Sequence, residues 1–314
     1  RTRITHSLEV AQIARTLAKI FELNEDLCET LSLAHDLGHS PFGHAGEESL
    51  NDCMEKYGGF DHNIQTLRIV TLLENKYYNF KGLNLSIETL DGLVKHNGPV
   101  YDQSKYDIIL GKNFFKKKIK FEKKPSLESQ LSSISDDIAY NSHDLEDGIK
   151  AGLFTINELK DIPLISEIVY KHKKKLKKDN RELVFRQIIR DIINEMVKDI
   201  VTNTKKNLKK EKITNIKDVY SAKIPLVCFS DKMKEFDYSI KEFLKEKMYY
   251  NQNVLSKTKK GKKIISFLFI KIGKSPKKYI KKNIINLEKK ERAVCDFIAG
   301  MTDRYAINLY NSLK

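Results

Sequence analysis

The sequence lacks tryptophan and is poor in cysteine, glycine and proline. Its 314 residues include four cysteines, 14 glycines and six prolines. The cysteines are scattered, without a Cys-x-x-Cys pair, which argues against a disulfide framework or a zinc ribbon and favours a reducing cytoplasm. With 40% hydrophobic and 32% charged residues, the low glycine and proline content excludes a disordered or collagen-like chain.

Long hydrophobic runs are also missing. The longest run, residues 264–270, contains a serine and falls far short of the roughly 20 residues that span a bilayer. We therefore expect a cytoplasmic protein without a membrane partner. The chain shows no signal peptide and begins at Arg1, so we expect an N-terminal piece to precede it.

Positive charge is abundant but unevenly placed. The net charge is +15, with −5 in residues 1–60 and +20 in the rest of the chain. Lysines cluster in residues 112–124, 171–178 and 257–263. Such clusters bind phosphates in some proteins and are solvated helix faces in others. The second interpretation is favoured, because the clusters lack the interleaved aromatic side chains of a base-stacking surface.

Hydrophobic periodicity predicts helix almost everywhere. Val10, Ile13 and Leu17 form one helical stripe, and Leu127, Leu131, Ile134 and Ile138 form another. Two short β-prone runs, residues 224–229 and 264–272, predict a small hairpin in the C-terminal half. The predicted helices cover residues 6–21, 27 to about 38, 45–57, 61–78, 87–95, 126–146, 183–201, 236–251, 277–286 and 291–313.

Histidines are concentrated near the start of the chain, where five of the eight lie within the first 62 residues. His35 directly precedes Asp36 at the end of an apolar helix, so both side chains can reach one divalent cation. His6, on the core-facing stripe of the preceding helix, offers a third ligand. A further acid from a distant helix would complete a set of nitrogen and oxygen donors suited to Mn²⁺, Fe²⁺ or Mg²⁺. A single histidine on an apolar face is more often a core residue, but that interpretation leaves the His35–Asp36 pair and its neighbours unexplained.

Several segments, taken in order, carry a specific resemblance. They are residues 3–12, residues 34–47 (Ala-His-Asp-Leu-Gly-His-Ser-Pro-Phe-Gly-His-Ala-Gly-Glu), and residues 60–68, 93–99, 136–148 and 296–304. Together they resemble the HD-domain deoxynucleoside triphosphate triphosphohydrolases, in particular the bacterial dGTPase branch. The resemblance implies an all-α fold of the HD-domain superfamily, with a catalytic core in residues 1–148. It also implies a mainly helical region in residues 149–314, whose last helix, about 291–313, packs back on that core.

The resemblance also implies a ligand set and a sugar site. By position, His6, His35, Asp36 and Asp136 hold the metal, Mn²⁺ or Mg²⁺, with Fe²⁺, Co²⁺ or Ni²⁺ as further candidates. Asp136 rather than Asp137 follows from the family pattern, in which the liganding Asp precedes a Tyr by four residues. Tyr140 and Asp144, which share a helix face with Asp136, are implied to meet the deoxyribose. The alternative for Tyr140 and Asp144 is an ordinary surface pair.

His44 and Glu47 are three residues apart on a short predicted helix. The carboxylate can therefore fix the imidazole tautomer and raise its basicity, as general acid–base catalysis requires. The resemblance puts this pair at the α-phosphate. It also implies that further side chains contact the substrate phosphates, although surface ion pairs are an equal alternative for Lys95, Arg304 and Arg68. The implied phosphate contacts are Arg3, His39, His62, Lys95 and Arg304.

The expected reaction is water attack on the α-phosphorus of a dNTP, with dGTP as first candidate, to give deoxynucleoside and inorganic triphosphate. The resemblance further implies a homo-oligomer, a tetramer or hexamer, and relatives include single-stranded DNA binders. Ser40 stands where the pattern has a second proline, and the family's N-terminal Arg- and Leu-rich stretch is absent. Two alternatives stay open: an HD-type nucleotide phosphodiesterase or 5′-nucleotidase, and a non-catalytic nucleotide or DNA-binding sensor.

Overall fold

The computed structural model describes residues 2–115, 118–172, 181–281 and 289–314. The predicted all-α class is confirmed, since these residues form helices and no β-strand. No helix among them is both apolar and long enough to cross a bilayer. The α-helices of the described residues are α1 (Arg3–Ile20), α2 (Glu25–Ala34), α3 (Gly43–Met54), α4 (His62–Arg68), α5 (Ile87–Val94), α6 (Ser104–Leu110), α7 (Leu127–Lys150), α8 (Pro163–His172), α9 (Arg181–Lys210), α10 (Ile216–Ser221), α11 (Asp231–Leu244), α12 (Gln252–Lys274), α13 (Lys290–Ala299) and α14 (Asp303–Leu313).

The chain forms two compact units. Unit 1 consists of residues 1–33, 96–98 and 123–254, and unit 2 consists of residues 34–95, 99–122 and 255–314. Each unit draws on chain segments from before and after residue 148. The predicted boundary at that residue, which separates a catalytic core from a C-terminal region, stays a prediction.

Unit 1 is built on the packing of α1 against α7. Ala14 and Leu17 of α1 and Leu131 and Ile138 of α7 are fully buried in one core. Ser126 caps α7 by accepting a hydrogen bond from the backbone N–H of Ser129, which sets where that helix begins. The hydrophobic stripes therefore direct one face of each helix inward. The same two helices carry the polar residues His6 and Asp136, which are described below.

Unit 2 has its own core. Leu50 and Met54 of α3 are buried in the same cluster as Ile265 and Leu268 of α12 and Ile298 of α13. This cluster supports α3, the helix that begins directly before His44. The terminal helices therefore pack beside an N-terminal segment of the chain.

The predicted hairpin is wrong. Residues 264–272 lie inside α12, and residues 224–229 form an irregular connection. Ile264, Leu268 and Ile272 recur at a spacing of four residues, and all three are buried, while Ile270 and Lys271 between them are exposed. The segment is therefore helical, as the spacing of its buried residues requires, although its β-branched residues favour strand.

Several predicted helices differ in extent, among them the following three. The helix predicted over residues 61–78 consists of α4 and a π-helical turn, Ile69–Leu73, and the chain is irregular from Glu74 onward. The helix predicted over residues 291–313 is two helices, because Thr302 caps α14 and interrupts the run. Of the helix predicted over residues 277–286, the first part is a single 3₁₀ turn, Pro276–Lys278, and residues 282–286 lie outside the described residues.

Candidate functional site

In unit 1, the predicted ligands His6 and Asp136 meet directly. Thr2 caps helix α1, because its side chain accepts a hydrogen bond from the backbone N–H of Thr5, and His6 lies near the start of that helix. His6 Nε2 lies 2.8 Å from Asp136 Oδ1, and both side chains are partly exposed. An imidazole nitrogen and a carboxylate oxygen at this separation form a donor pair that fits a divalent cation.

A third donor faces the same carboxylate. His96 Nε2 lies 3.6 Å from Asp136 Oδ2, and the His96 side chain is buried. Sequence reasoning did not select His96, although it follows Lys95 within one of the family-like segments. His96 could therefore have been selected from the sequence, because it lies within the family-like segment 93–99.

In unit 2, His35 and Asp36 lie in a tight turn directly after α2. His35 Nε2 is 3.3 Å from Asp36 Oδ1, and His39 Nδ1 is 3.4 Å from the same oxygen. The Thr66 hydroxyl donates to the His35 carbonyl and accepts from the Gly38 N–H, which fixes the turn against α4. A Cβ on Gly38 would lie 2.0 Å from the His62 carbonyl oxygen, so only glycine allows this approach.

Four side chains form a cluster beside this turn: His39, His44, Glu47 and His62. Glu47 Oε1 lies 2.8 Å from His62 Nδ1 and accepts the His62 backbone N–H at 3.0 Å. Its other oxygen lies 3.5 Å from His44 Nδ1. The His39 and His62 rings are 4.1 Å apart between centroids, and the His39 and His44 rings are 5.6 Å apart. The predicted His44–Glu47 contact is therefore present, and His62 shares the same carboxylate.

Helix α3 presents His44 to solvent and keeps Glu47 within the cluster. The His44 side chain is 76% exposed, whereas that of Glu47 is 18% exposed. The helix begins after Phe42, which has a left-handed backbone (φ 66°) and donates its N–H to Asp303 at 3.0 Å. A left-handed phenylalanine is uncommon, and it fixes the direction in which α3 starts.

Contacts within the cluster and burial shift the pKa values of its members in different directions. Burial lowers the pKa of His39 to about 4, against the opposing pull of Asp36. The hydrogen bond with Glu47 raises the pKa of His44. Burial opposes ionisation of Glu47, but its hydrogen bonds with His44 and His62 lower its pKa well below the usual range. The cluster therefore holds an ionised carboxylate, an imidazole with raised basicity and a neutral buried imidazole, a combination suited to moving a proton.

The predicted sugar residues Tyr140 and Asp144 lie on one face of α7 with a third residue between them. The Tyr249 hydroxyl is 2.8 Å from the Tyr140 hydroxyl and also hydrogen-bonds to Asp144 Oδ2. Burial, with the nearby Asp144 charge, raises the pKa of Tyr140, and burial likewise raises the pKa of Asp144. Sequence reasoning missed Tyr249, which ends the π-helical turn Lys245–Tyr249 and lies outside the segments that carry the family resemblance.

The predicted cationic contacts differ in their surroundings. Arg3 and Arg304 have exposed side chains. Lys95 is buried, and its Nζ lies 2.7 Å from Asp91 Oδ1. Arg68 is also buried and forms a two-point contact with Asp296, at 3.1 Å and 2.5 Å, while a third nitrogen donates to the Ile109 carbonyl. Arg68 therefore forms a structural ion pair, since its guanidinium is held on several sides within unit 2.

The chain matches two protein families. The family described as HD domain matches residues 3–141, and the family described as phosphohydrolase-associated domain matches residues 227–312. Both matches include residues of the site: the first covers the predicted metal ligands, and the second covers Tyr249 and Arg304.

The chain is also similar to curated proteins that carry the name deoxyguanosinetriphosphate triphosphohydrolase-like protein. The one from Pelagibacter ubique is 56% identical over 309 residues, which is 98% of this chain and 83% of the relative. The one from Parvibaculum lavamentivorans is 42% identical over 316 residues, covering 98% of this chain and 80% of the relative. The one from Rickettsia felis is 41% identical over 321 residues, covering all of this chain and 82% of the relative.

Proposed function

Because the chain belongs to the HD-domain family of deoxyguanosinetriphosphate triphosphohydrolase-like proteins, we propose that it hydrolyses deoxynucleoside triphosphates, with dGTP as first candidate. The predicted family is confirmed, and with it the prediction of a metal-dependent hydrolase. The substrate, the bond cleaved and the residue roles that follow are our proposals.

The proposed reaction consumes one water per nucleotide. The water oxygen attacks the α-phosphorus and the bond between that phosphorus and the 5′-oxygen breaks. The attacking oxygen leaves with inorganic triphosphate, and one water proton reaches the 5′-oxygen to complete the deoxynucleoside. The protein must therefore move a proton and compensate charge on the α-phosphoryl group.

For the cation, we propose His6, His35, Asp36 and Asp136 as ligands, following the family pattern. The donor chemistry supports this choice, since two imidazoles and two carboxylates suit Mn²⁺ or Mg²⁺, and Fe²⁺, Co²⁺ or Ni²⁺ are further candidates. Such a cation polarises a phosphoryl oxygen and increases the acidity of water. His96, through its contact with Asp136, is placed to orient that carboxylate.

For the proton, we propose His44 as the transferring group. Its exposed ring can meet a substrate, and contact with Glu47 raises its pKa, which strengthens the imidazole as a base. Glu47 orients His44 and His62 together. His39 stays neutral, because burial lowers its pKa, and it can donate a hydrogen bond to a phosphate without carrying charge.

For the substrate, we propose that Tyr140 and Asp144 bind the deoxyribose, with Asp144 accepting from the 3′-hydroxyl. The contact of Tyr249 with both residues supports this role, since it holds the two side chains together. Arg3, His39, His62, Lys95 and Arg304 are the proposed contacts of the triphosphate. Their charge-assisted hydrogen bonds would hold the triphosphate in place while the 5′-oxygen leaves.

The observation that carries the proposal is the cluster in which Glu47 lies between His44 and His62, next to the His35–Asp36 turn. The test is incubation of the protein with each of the four dNTPs and Mn²⁺ or Mg²⁺, followed by identification of products by ³¹P NMR and chromatography. We expect deoxynucleoside and triphosphate. Nucleoside monophosphate with pyrophosphate, or phosphate from a monophosphate substrate, would contradict the proposal.

A second candidate, an HD-type nucleotide phosphodiesterase or 5′-nucleotidase, is favoured by one observation. His39, Glu47 and His62 offer ligand atoms within 4.8 Å of one another, a group that can hold a second cation. Metal stoichiometry distinguishes the candidates, since this alternative predicts two bound ions and monophosphate chemistry. A non-catalytic nucleotide or DNA sensor would release no product with any metal.

Assembly and further partners are also proposals. We propose a cytoplasmic homo-oligomer, a tetramer or hexamer, with single-stranded DNA as a second partner of its positively charged part. Light scattering coupled to size-exclusion chromatography tests the oligomeric state. Salt-dependent binding to a single-stranded oligonucleotide tests the DNA partner. A monomer at micromolar concentration, or no DNA binding at low salt, would contradict them.

A further inference from the structure

A row of side chains continues behind His6, on the side of its ring that does not face Asp136. The Nδ1 atoms of His6 and His143 lie 3.3 Å apart, and the rings meet edge to face with centroids 5.3 Å apart. On its other side, His143 Nε2 contacts Glu9 Oε2. His143 is buried, whereas the Glu9 side chain is 42% exposed. The row thus runs from a surface carboxylate through a buried imidazole to His6.

Both contacts connect the same two helices. Glu9 follows His6 by three residues on α1, and His143 follows Asp136 by seven residues on α7. Residues at these spacings share one helix face, so all four side chains lie along the line where α1 packs on α7. The row is therefore set by the packing of the unit 1 core and does not depend on a loop.

The row also constrains where the imidazole protons lie. An imidazole binds a cation through an unprotonated nitrogen, and its proton is then on the other nitrogen. When a cation is bound at Nε2, the nitrogen that faces Asp136, Nδ1 is the nitrogen that carries the hydrogen. That N–H can donate to His143 Nδ1 only when His143 has its own proton on Nε2, the nitrogen that faces the Glu9 carboxylate. Each imidazole then has one defined tautomer.

We infer that Glu9 and His143 are positioning residues for His6, which fix its ring and its tautomer for cation binding. This inference rests on the proposed function, because it takes His6 as a metal ligand. Neither Glu9 nor His143 touches a reacting atom in this scheme. Removing a residue that holds a metal ligand in place typically lowers metal affinity by about 10- to 100-fold.

The test measures Mn²⁺ affinity by isothermal titration calorimetry on metal-free full-length chain. His143→Leu removes the acceptor for His6 Nδ1, and we expect Mn²⁺ affinity to fall by about 10- to 100-fold. His143→Asn keeps an oxygen that can accept that hydrogen bond, so its affinity should remain within about threefold of the unaltered protein. A role in folding alone would not separate leucine from asparagine in this way.

His172→Leu is the matched control. His172 Nε2 also contacts a carboxylate, Asp191 at 2.8 Å, and it belongs to unit 1 but lies on α8. We expect this variant to bind Mn²⁺ like the unaltered protein. A loss equal to that of His143→Leu would mean that any lost histidine–carboxylate contact weakens the metal site, and would overturn the inference.

His6→Ala separates the inference from the function on which it rests. If His6→Ala abolishes Mn²⁺ binding while a folded His143→Leu keeps full affinity, the positioning role is wrong and the metal site stands. If His6→Ala also keeps full affinity, the proposed ligand set itself is wrong. Should His143→Leu fail to fold by circular dichroism, Glu9→Met reports on the same row: weaker Mn²⁺ binding supports the inference, and unchanged binding overturns it.

Discussion

The carboxylate of Glu47 lies closer to His62 than to His44. One oxygen is 2.8 Å from His62 Nδ1 and also accepts the His62 backbone N–H, whereas the other oxygen is 3.5 Å from His44 Nδ1. The short contact anchors Glu47 to the start of α4, and the longer contact reaches the exposed His44 ring. One ionised carboxylate therefore contacts a half-buried imidazole and an exposed one.

Glu47→Gln should move the pH dependence of turnover to lower pH. Contact with Glu47 raises the pKa of His44, so removing the negative charge lowers that pKa. If His44 acts as a base, the rising limb of the pH–rate profile moves to lower pH. If it acts as an acid, the falling limb does so. The measurement is kcat against pH with a dNTP, which also shows which of the two roles His44 has.

Glu48→Gln is the control for this prediction. Glu48 neighbours Glu47 on α3, but its side chain is 62% exposed and pairs with Lys262. Its pH profile should coincide with that of the unaltered protein. A limb that stays in place or moves to higher pH in Glu47→Gln would contradict the assignment of His44.

Removing a proposed metal ligand should differ from removing the proton-transfer group. We expect His35→Ala and Asp36→Ala to lose metal binding and turnover together. His44→Ala should keep its metal, because its ring is not a proposed ligand, and should lose about 10²- to 10⁴-fold in kcat. Metal content by atomic emission and single-turnover kinetics measure the two properties separately. Full activity in His44→Ala would refute the proton-transfer role.

Tyr249→Phe should weaken the sugar contact. The lost hydroxyl bonds to both Tyr140 and Asp144, and a hydrogen bond of this kind contributes about 0.5–1.5 kcal/mol. We expect KM for dGTP to rise by about two- to twelvefold. Tyr250→Phe, at an exposed neighbouring position, should change neither value. Equal KM values in the two variants would show that Tyr249 does not contribute to substrate binding.

Helix positions were largely predictable from the sequence, because burial has the period of the helix. Leu17 and Leu131 lie in the core as their spacing indicates. The β-prone run at residues 264–272 was misassigned, since residue type favoured strand while the four-residue spacing of its buried side chains is helical. Helix ends were harder to predict, because a single cap such as Thr302 decides where one helix stops and another begins.

The site was predictable where its residues are close in sequence. The His44–Glu47 contact follows from a spacing of three residues, and the His35–Asp36 pair from direct adjacency. Tyr249 and the Glu9–His143 contact join segments that are more than 100 residues apart. No local pattern marks such a pair, because only the packing of one helix on another brings the two side chains together.

Arg68→Ala should destabilise the protein rather than weaken substrate binding. Its guanidinium and the Asp296 carboxylate are 2% and 7% exposed, so the alanine variant leaves a buried carboxylate without this cation. Breaking a buried pair in this way costs about 3–5 kcal/mol of unfolding free energy. Replacing both partners, as in Arg68→Met with Asp296→Leu, should recover much of that loss, since neither charge is then buried alone.

Urea denaturation followed by circular dichroism measures these changes. Arg186→Ala is the matched control, because Arg186 pairs with Glu182 at the surface, and it should cost no more than about 1 kcal/mol. If Arg68→Ala were as stable as the unaltered protein and instead showed a raised KM, Arg68 would belong among the triphosphate contacts. The two-point geometry with Asp296 favours the first outcome, since a guanidinium already held by a carboxylate and by the Ile109 carbonyl must break those bonds to reach a phosphate.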